Sequence, residues 1–231
     1  MTQFAYLSDS TLFKTRPSED QPLPFGVAGV TWDGSTTNRP GARFGPRAIR
    51  EASHMLCDGT HPLFDVALDG ALGDTGDLLL PNTGLAPMRA ALEAQAPALI
   101  ARHHMAWLGG DHSITWPAAT AVAEAKGFGN VGMVHFDAHA DTGEDQFGAL
   151  IGHGTPMRNL INNGYVRGDR FLQLGLRGYW PEDATLNWMR DQGMRSYEMT
   201  EIHHRGLKAV LDESFATLTD GCDGVFLSVD I

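Results

Sequence analysis

The chain is poor in cysteine, in positive charge and in long apolar runs, and each shortage removes a class of protein. Only Cys57 and Cys222 occur among 231 residues, and neither belongs to a Cys-x-x-Cys pair. A disulfide framework and a thiolate zinc site are therefore not expected, and a reducing compartment fits. Lysine and arginine number 17 against 28 aspartates and glutamates, for a formal net charge of -11. Without a basic stripe to displace counterions from phosphates, nucleic acid is not an expected partner. No apolar run approaches the ~18 residues that span a bilayer. Residues Met1 to Lys14 lack the basic and apolar regions of a signal peptide. The expectation is a cytoplasmic protein with no membrane partner.

What is present is an ordinary globular composition, 42% hydrophobic and 19% charged, which suits one well-buried domain over residues 1–231 ahead of two small ones. Short apolar runs alternate with helical stretches, the pattern of a parallel α/β sheet. Strands are expected at Phe25–Thr31, Met105–Leu108, Val131–Phe136, Phe171–Leu176, Arg195–Met199 and Val225–Val229, with a weaker candidate at Phe64–Leu68. Helices are expected at Pro46–Ala52, Met88–Arg102, Pro117–Lys126, Glu182–Gln192 and Leu207–Leu218. Pro97 should kink or break the second of these, because it lacks an N–H and its ring crowds the preceding turn. Val225–Ile231 reads as a core strand at the very end of the sequence. The sheet is accordingly expected to lack its last strand or strands.

Three polar clusters follow three apolar runs. His112 lies in Gly-Gly-Asp-His-Ser at 109–113; Asp137, His139 and Asp141 follow Val131–Phe136; Asp230 follows Val225–Val229. Ligands of open α/β sheets gather at the carboxyl ends of the strands, so all three clusters should face one rim. In Asp137-Ala138-His139-Ala140-Asp141, an extended backbone would turn all three polar side chains the same way. Two carboxylates so close repel unless a cation lies between them. Mixed imidazole and carboxylate donors suit manganese, nickel or zinc, and carboxylates able to bridge favour a pair of ions roughly 3.5–4 Å apart. Each cluster has a plainer reading, since Asp and His after a strand also cap helices or bind backbone amides. Three clusters at three strand ends favour the metal reading.

These segments are also where a resemblance enters. Gly109–Ser113, Asp137–Asp141 and Ser228-Val229-Asp230 resemble three ordered signatures of the ureohydrolases, the arginase and agmatinase family. The run from Asn38 to Pro46 and His153-Gly154-Thr155 are similar to motifs of the agmatinase branch. The resemblance implies a three-layer α/β/α fold with a mostly parallel sheet. It also implies two divalent metal ions, Mn2+ ahead of Ni2+, and hydrolysis of a guanidino group to urea and an amine by a water deprotonated between the ions. By the same resemblance, His112 and Asp141 bind one ion and His139 the other, while Asp137 and Asp230 bridge. Asp141 and His153 take catalytic roles, Asp141 passing a proton to the leaving nitrogen and His153 as an acid/base or a substrate contact. Asp111 and Ser113 support the ligands. The family motif Ser-x-Asp-x-Asp continues one residue past Ile231, and a later substrate-gripping glutamate also lies beyond it, so the chain is expected to be incomplete.

Substrate contacts are expected from two loops. Glu144 and Asp145 suit a cationic tail such as that of agmatine, although a solvated loop is the readier explanation for them. Tyr179 and Trp180 suit a pocket wall, and Arg177 suits the carboxylate of a guanidino acid or, equally, a subunit neighbour or an internal carboxylate. A homo-oligomer, trimer or hexamer, is implied by the resemblance alone. Two other readings remain: a catalytically silent subunit that partners an active homologue, and an amide hydrolase of the related deacetylase type. The Asn38–Pro46 and Gly109–Ser113 motifs weigh against the second.

Overall fold

The computed structural model describes residues 10–15, 23–56, 60–68, 70–146, 148, 149, 151–179 and 181–231. Cys57 and Trp180 lie outside them. The chain divides into two compact units, residues 1–114 and 115–231, and the units are described separately.

The first unit holds β1 (Phe25–Gly29), α1 (Gly45–Ser53), β2 (Thr60–His61), β3 (Val66–Ala67), β4 (Leu72–Asp77), α2 (Leu85–Ile100) and β5 (His104–Leu108). Its main sheet has the order β4-β1-β5, and both pairings are parallel. Helix α2 buries Met88, Leu92 and Ala96, four residues apart and hence on one stripe. It continues unbroken across Pro97 to Ile100. The proline sits in the last turn, where only one backbone bond is forfeited, and its own carbonyl still accepts the Ala101 N–H at 3.0 Å. The strand expected at Phe64–Leu68 shrinks to Val66–Ala67, paired antiparallel with Thr60–His61, and all four residues are exposed.

Strand β4 escapes a search for apolar runs because its sequence is Leu-Gly-Asp-Thr-Gly-Asp. Its polarity is balanced by α1. Arg50, wholly buried, donates through Nε and Nη2 to the two oxygens of Asp74 at 2.7 and 2.9 Å, and through Nη1 to Asp77. A buried guanidinium that satisfies two carboxylates allows a charged strand to lie inside the unit.

The second unit holds α3 (Thr115–Lys126), β6 (Val131–Phe136), α4 (Pro156–Asn162), β7 (Val166–Leu176), α5 (Asp183–Asp191), β8 (Arg195–Glu198), α6 (Met199–Arg205), α7 (Leu207–Thr219) and β9 (Gly224–Val229). Its sheet has the order β8-β7-β6-β9 and is parallel throughout. Alternation along the strands supplies two cores. Met133 and Phe171 join Trp116 and Ala119 of α3, Met157, Leu160 and Ile161 of α4 and Met189 of α5. Val134 and Leu172 join Tyr197 of β8, Ile202 of α6 and Val210 and Leu218 of α7. Helices thus cover both faces, the three-layer α/β/α class expected.

Strand β7 begins five residues before the expected Phe171, and the seven-residue helices α4 and α6 were not anticipated. Helices of two turns show too little periodicity to be read. Near its end β7 bulges at Gly175, whose φ is +105°. A Cβ there would sit 3.1 Å from the Asp137 carbonyl oxygen. Among the described residues no helix is long and apolar enough to cross a membrane.

Candidate active site

In the second unit the rim is assembled by register. Phe136 of β6 pairs with Val229 of β9, so Asp137 and Asp230 leave adjacent strands at one level. The Asp230 N–H bonds to the Phe136 carbonyl at 2.9 Å, and the Asp137 N–H to that of Leu174 on β7 at 3.1 Å. Beyond the Gly175 bulge the Arg177 N–H reaches the Ala138 carbonyl at 3.0 Å. Bulges often re-aim a chain beside a site in this way. Here the bulge brings the end of β7 against the loop that carries Asp137, His139 and Asp141.

That loop is set by its own side chains. Asp137 Oδ1 accepts the His139 N–H at 2.7 Å, turning the chain sharply after β6. Asp141 has φ +49°, a left-handed conformation that aspartate tolerates better than most residues. Its carbonyl accepts the Met157 N–H of α4 at 3.1 Å. Arg158 of the same helix donates Nε to the Thr142 carbonyl at 2.7 Å and lies over the Trp188 ring, 4.0 Å from its centre. Burial lowers the pKa of Arg158 from its ordinary value, with Glu144 and Glu182 opposing the shift; a guanidinium starts so high that the group remains a cation.

Three groups converge. His135, Asp137 and Asp141 each offer a ligand atom, and these atoms lie within 4.8 Å of one another. All three residues are buried, the aspartates to 6% exposure. His135 was not among the expected site residues. Its signal was available, because residues 135 and 137 lie two apart on an extended chain and share a side. His139, by contrast, turns outward: its side chain is 65% exposed, with Nδ1 3.3 Å from Asp137 Oδ1. Asp230 is level with Asp137 but exposed. Two carboxylates buried this closely, with an imidazole beside them, form a donor set that a divalent cation fits.

His153 is tied to the same loop through Gln146. The Gln146 amide oxygen accepts the Gly154 N–H at 3.2 Å, which turns its amide nitrogen toward His153 Nδ1 at 2.9 Å. Nδ1 therefore accepts, and the ring proton belongs on Nε2. The Gly143 N–H bonds to the Gly154 carbonyl at 2.9 Å, which fastens this turn to the segment just after Asp141. A Cβ at Gly152 would fall 2.0 Å from the Gln146 amide oxygen, so a larger residue there would displace that amide. Glu144 and Asp145 are exposed, and Asp145 caps the Gly148 N–H at 3.1 Å. Arg177 and Tyr179 are exposed beyond β7, with Arg177 Nη1 donating to the Gly175 carbonyl at 3.1 Å.

In the first unit, His112 opens a 3₁₀ turn, His112–Ile114, just beyond β5. Its loop is pinned by Asp111, which is buried: one carboxylate oxygen accepts the Ser35 N–H at 2.8 Å and the other the Ser113 N–H at 3.0 Å and the Ser113 hydroxyl. The Asn38–Pro46 segment buttresses the loop. The Ala42 carbonyl accepts the Gly110 N–H at 3.4 Å. A Cβ at Gly45 would lie 2.8 Å from the Gly109 carbonyl oxygen. Gly110, at φ +74°, leaves only 2.5 Å between a Cβ and the Trp32 carbonyl oxygen, so no other residue fits. Asp33 holds the buttress together, accepting the Gly41 N–H at 2.6 Å and pairing with the Arg43 guanidinium. Burial raises Asp33, but the Arg43 guanidinium and the N–H groups of Gly41 and Arg43 outweigh it and hold its carboxyl below the ordinary value.

Comparison with known proteins agrees with this architecture. The family model described as the arginase family matches residues 23–231. A guanidinobutyrase from Pseudomonas aeruginosa is 35% identical over 219 residues, covering 93% of this chain and 67% of that protein. A mitochondrial agmatinase from Gallus gallus is 38% identical over 218 residues, covering 90% of this chain and 61% of that protein. The chain thus spans about three fifths to two thirds of the length of these relatives. Among solved structures, proclavaminate amidino hydrolase from Streptomyces clavuligerus superimposes with a TM-score of 0.85 at 30% identity, over 97% of this chain and 74% of that one. With the family model matched from residue 23 to residue 231, the chain belongs to the arginase family.

Proposed function

We infer that the protein hydrolyses a linear guanidino compound of the agmatine or short guanidino acid class, releasing urea and an amine. The observation that carries this reading is the buried convergence of Asp137 and Asp141 with an imidazole at the carboxyl rim of a parallel sheet. Two divalent ions, Mn2+ by preference and Ni2+ as the alternative, would be held by His112, Asp137, His139, Asp141 and Asp230. When bound, such ions supply water already deprotonated near neutral pH. That matters because a guanidinium is resonance-stabilised and a poor electrophile.

The chain's own groups do the rest. A water oxygen bonds to the guanidinium carbon, the C–N bond to the tail breaks, and the departing nitrogen takes up both protons of that water to leave as an ammonium. Asp141 is assigned the transfer of those protons to that nitrogen. His153, with its proton on Nε2, is assigned a donor contact to the substrate. Glu144 and Asp145 favour a cationic tail; Arg177 and Tyr179 favour an anionic one. The relatives' names include both kinds, guanidinobutyrase and agmatinase. The protein is assigned a homo-oligomeric state, trimer or hexamer, and a cytoplasmic site of action.

The test is urea release by the full-length protein, loaded with Mn2+ or Ni2+, from agmatine, guanidinobutyrate, guanidinopropionate and guanidine. Urea from at least one of them, lost in Asp137→Asn, is the expected result. Full metal loading with no urea from the whole panel would overturn the hydrolase reading in favour of a silent subunit.

A further inference from the structure

Just below the rim, a polar row crosses the sheet of the second unit. His135 on β6 is in register with Gln173 on β7 and Ser228 on β9, and Gln173 with Ser196 on β8. Residues in register on neighbouring strands point to the same face. Here that face otherwise packs apolar side chains such as Met133 and Phe171 against α3 and α4. His135 and Gln173 are completely buried and Ser228 is 7% exposed. Polar groups placed so deep are costly unless each is bonded, so the pattern of bonds tells what the row is for.

The bonds run in one direction. The Ala140 carbonyl can only accept, and the Gln173 atom 2.6 Å from it is therefore the amide nitrogen. The Ser196 hydroxyl donates to the Gln173 amide oxygen at 3.2 Å, in agreement with that orientation. The second hydrogen of the same amide nitrogen points at His135 Nδ1, 3.1 Å away. Facing a donor, Nδ1 must accept, and the ring proton resides on Nε2. Nε2 lies 3.0 Å from Asp137 Oδ2. The other carboxylate oxygen, Oδ1, is held by the His139 N–H at 2.7 Å. Oδ2 thus faces the His135 ring nitrogen and Oδ1 the His139 backbone, which fixes the plane of the Asp137 carboxylate.

We propose that His135 and Gln173 are positioning residues for metal binding, Gln173 fixing the ring proton on His135 Nε2 and that N–H orienting the Asp137 carboxylate. The assignment rests on the reading of Asp137 as a metal ligand. It makes His135 a donor to a ligand rather than a ligand itself, although its ring nitrogen lies close enough to Asp137 and Asp141 to be counted with them. Groups that orient metal ligands by hydrogen bonds commonly set affinity by about 10- to 100-fold.

Two measurements on the full-length protein test this, neither of which uses urea. In 15N-histidine-labelled, metal-free protein, NMR should find His135 protonated at Nε2 and unprotonated at Nδ1. A proton on Nδ1 overturns the proposal. In Mn2+ titrations, His135→Leu and Gln173→Leu should each weaken the tighter binding step about 10- to 100-fold, while His135→Gln should recover most of that loss. A glutamine amide can occupy the place of Nε2 and donate from it, but its nitrogen cannot ligate. Equal weakening by His135→Leu and His135→Gln would make His135 a ligand and overturn the proposal; unchanged affinity in both would make it a bystander and do the same. Should His135→Leu not fold, the native NMR spectrum and His135→Gln still decide. Mn2+ binding with these dependences but no urea would sink the hydrolase reading alone; urea release with Nδ1 protonated would sink this one alone.

Discussion

Carboxylate side chains are buried side by side at Asp74 and Asp77 in the first unit and at Asp137 and Asp141 in the second, and the chain treats these two pairs differently. In the first unit Asp74 and Asp77 meet Arg50, with side-chain exposures of 0%, 1% and 0%. In the second, Asp137 and Asp141 meet the imidazole of His135. The first pair is balanced by a cation covalently part of the chain, always charged and bonded to both carboxylates. That arrangement is permanent and serves the fold, locking α1 to β4. The second pair, in the proposed reading, is balanced by ions that come and go, so its charge can be spent on chemistry. The same physics, desolvated like charges needing a counter-charge, yields scaffold in one place and a reactive centre in the other.

That contrast can be broken from either side. The largest effect is expected from Asp137→Asn: urea release should fall roughly 10³-fold, the several kcal/mol that a metal ion contributes to a transition state, while far-UV circular dichroism stays native. Arg50→Met should act in the opposite way. Two buried carboxylates left without their cation cost about 3–5 kcal/mol of stability, read from denaturant unfolding of metal-free protein. If Mn2+ restored the Arg50→Met protein fully, the two clusters would not be separate in function.

A smaller effect sharpens the comparison. Mn2+ at a hundredfold excess over its Kd should stabilise the native protein by about 2.7 kcal/mol, and should do far less for Asp137→Asn. Arg50 is not involved, so the same increment should appear on top of the lowered baseline of Arg50→Met. An increment that vanished there would mean that the first cluster is needed to form the second.

The smallest effect concerns pH. Asp33 has its carboxyl held below the ordinary value in the folded protein, so the unfolded chain binds that proton more readily. Its contribution is therefore complete above the ordinary carboxylate range and is lost as pH falls through the depressed value. Removing the guanidinium with Arg43→Met should move the onset of acid unfolding to higher pH. Unfolding midpoints measured from pH 7 downward would check the direction, and coincident curves would deny Asp33 its role in the buttress.

The strands and helices were legible wherever apolar residues run together. Val131–Phe136 falls as expected to the residue, because a central parallel strand is apolar on both faces. Strand β4 was not legible, since its aspartates announce solvent until Arg50 is brought beside them. The site divides in the same manner. Asp137 and Asp141 stand out in the sequence because aspartates at such spacing after an apolar run are unusual. His135 stands out less, for it looks like one more residue of a core strand, and only its spacing of two from Asp137 points to it. Gln146 gave no signal either: a glutamine seven residues before His153 acquires meaning only when the turn folds back on it.

By itself the sequence determined the family and the parallel α/β class and singled out most of the candidate ligands, because these rest on local patterns: apolar runs and the polar clusters that end them. Only the tertiary structure decided which groups share a charge, which histidine is gripped by which amide, and on which ring nitrogen a proton resides. Those properties depend on contacts between residues far apart in the chain, such as His135 with Gln173 and Arg50 with Asp74. Hydrogen-bond direction and buried charge balance do not exist until the strands are placed side by side.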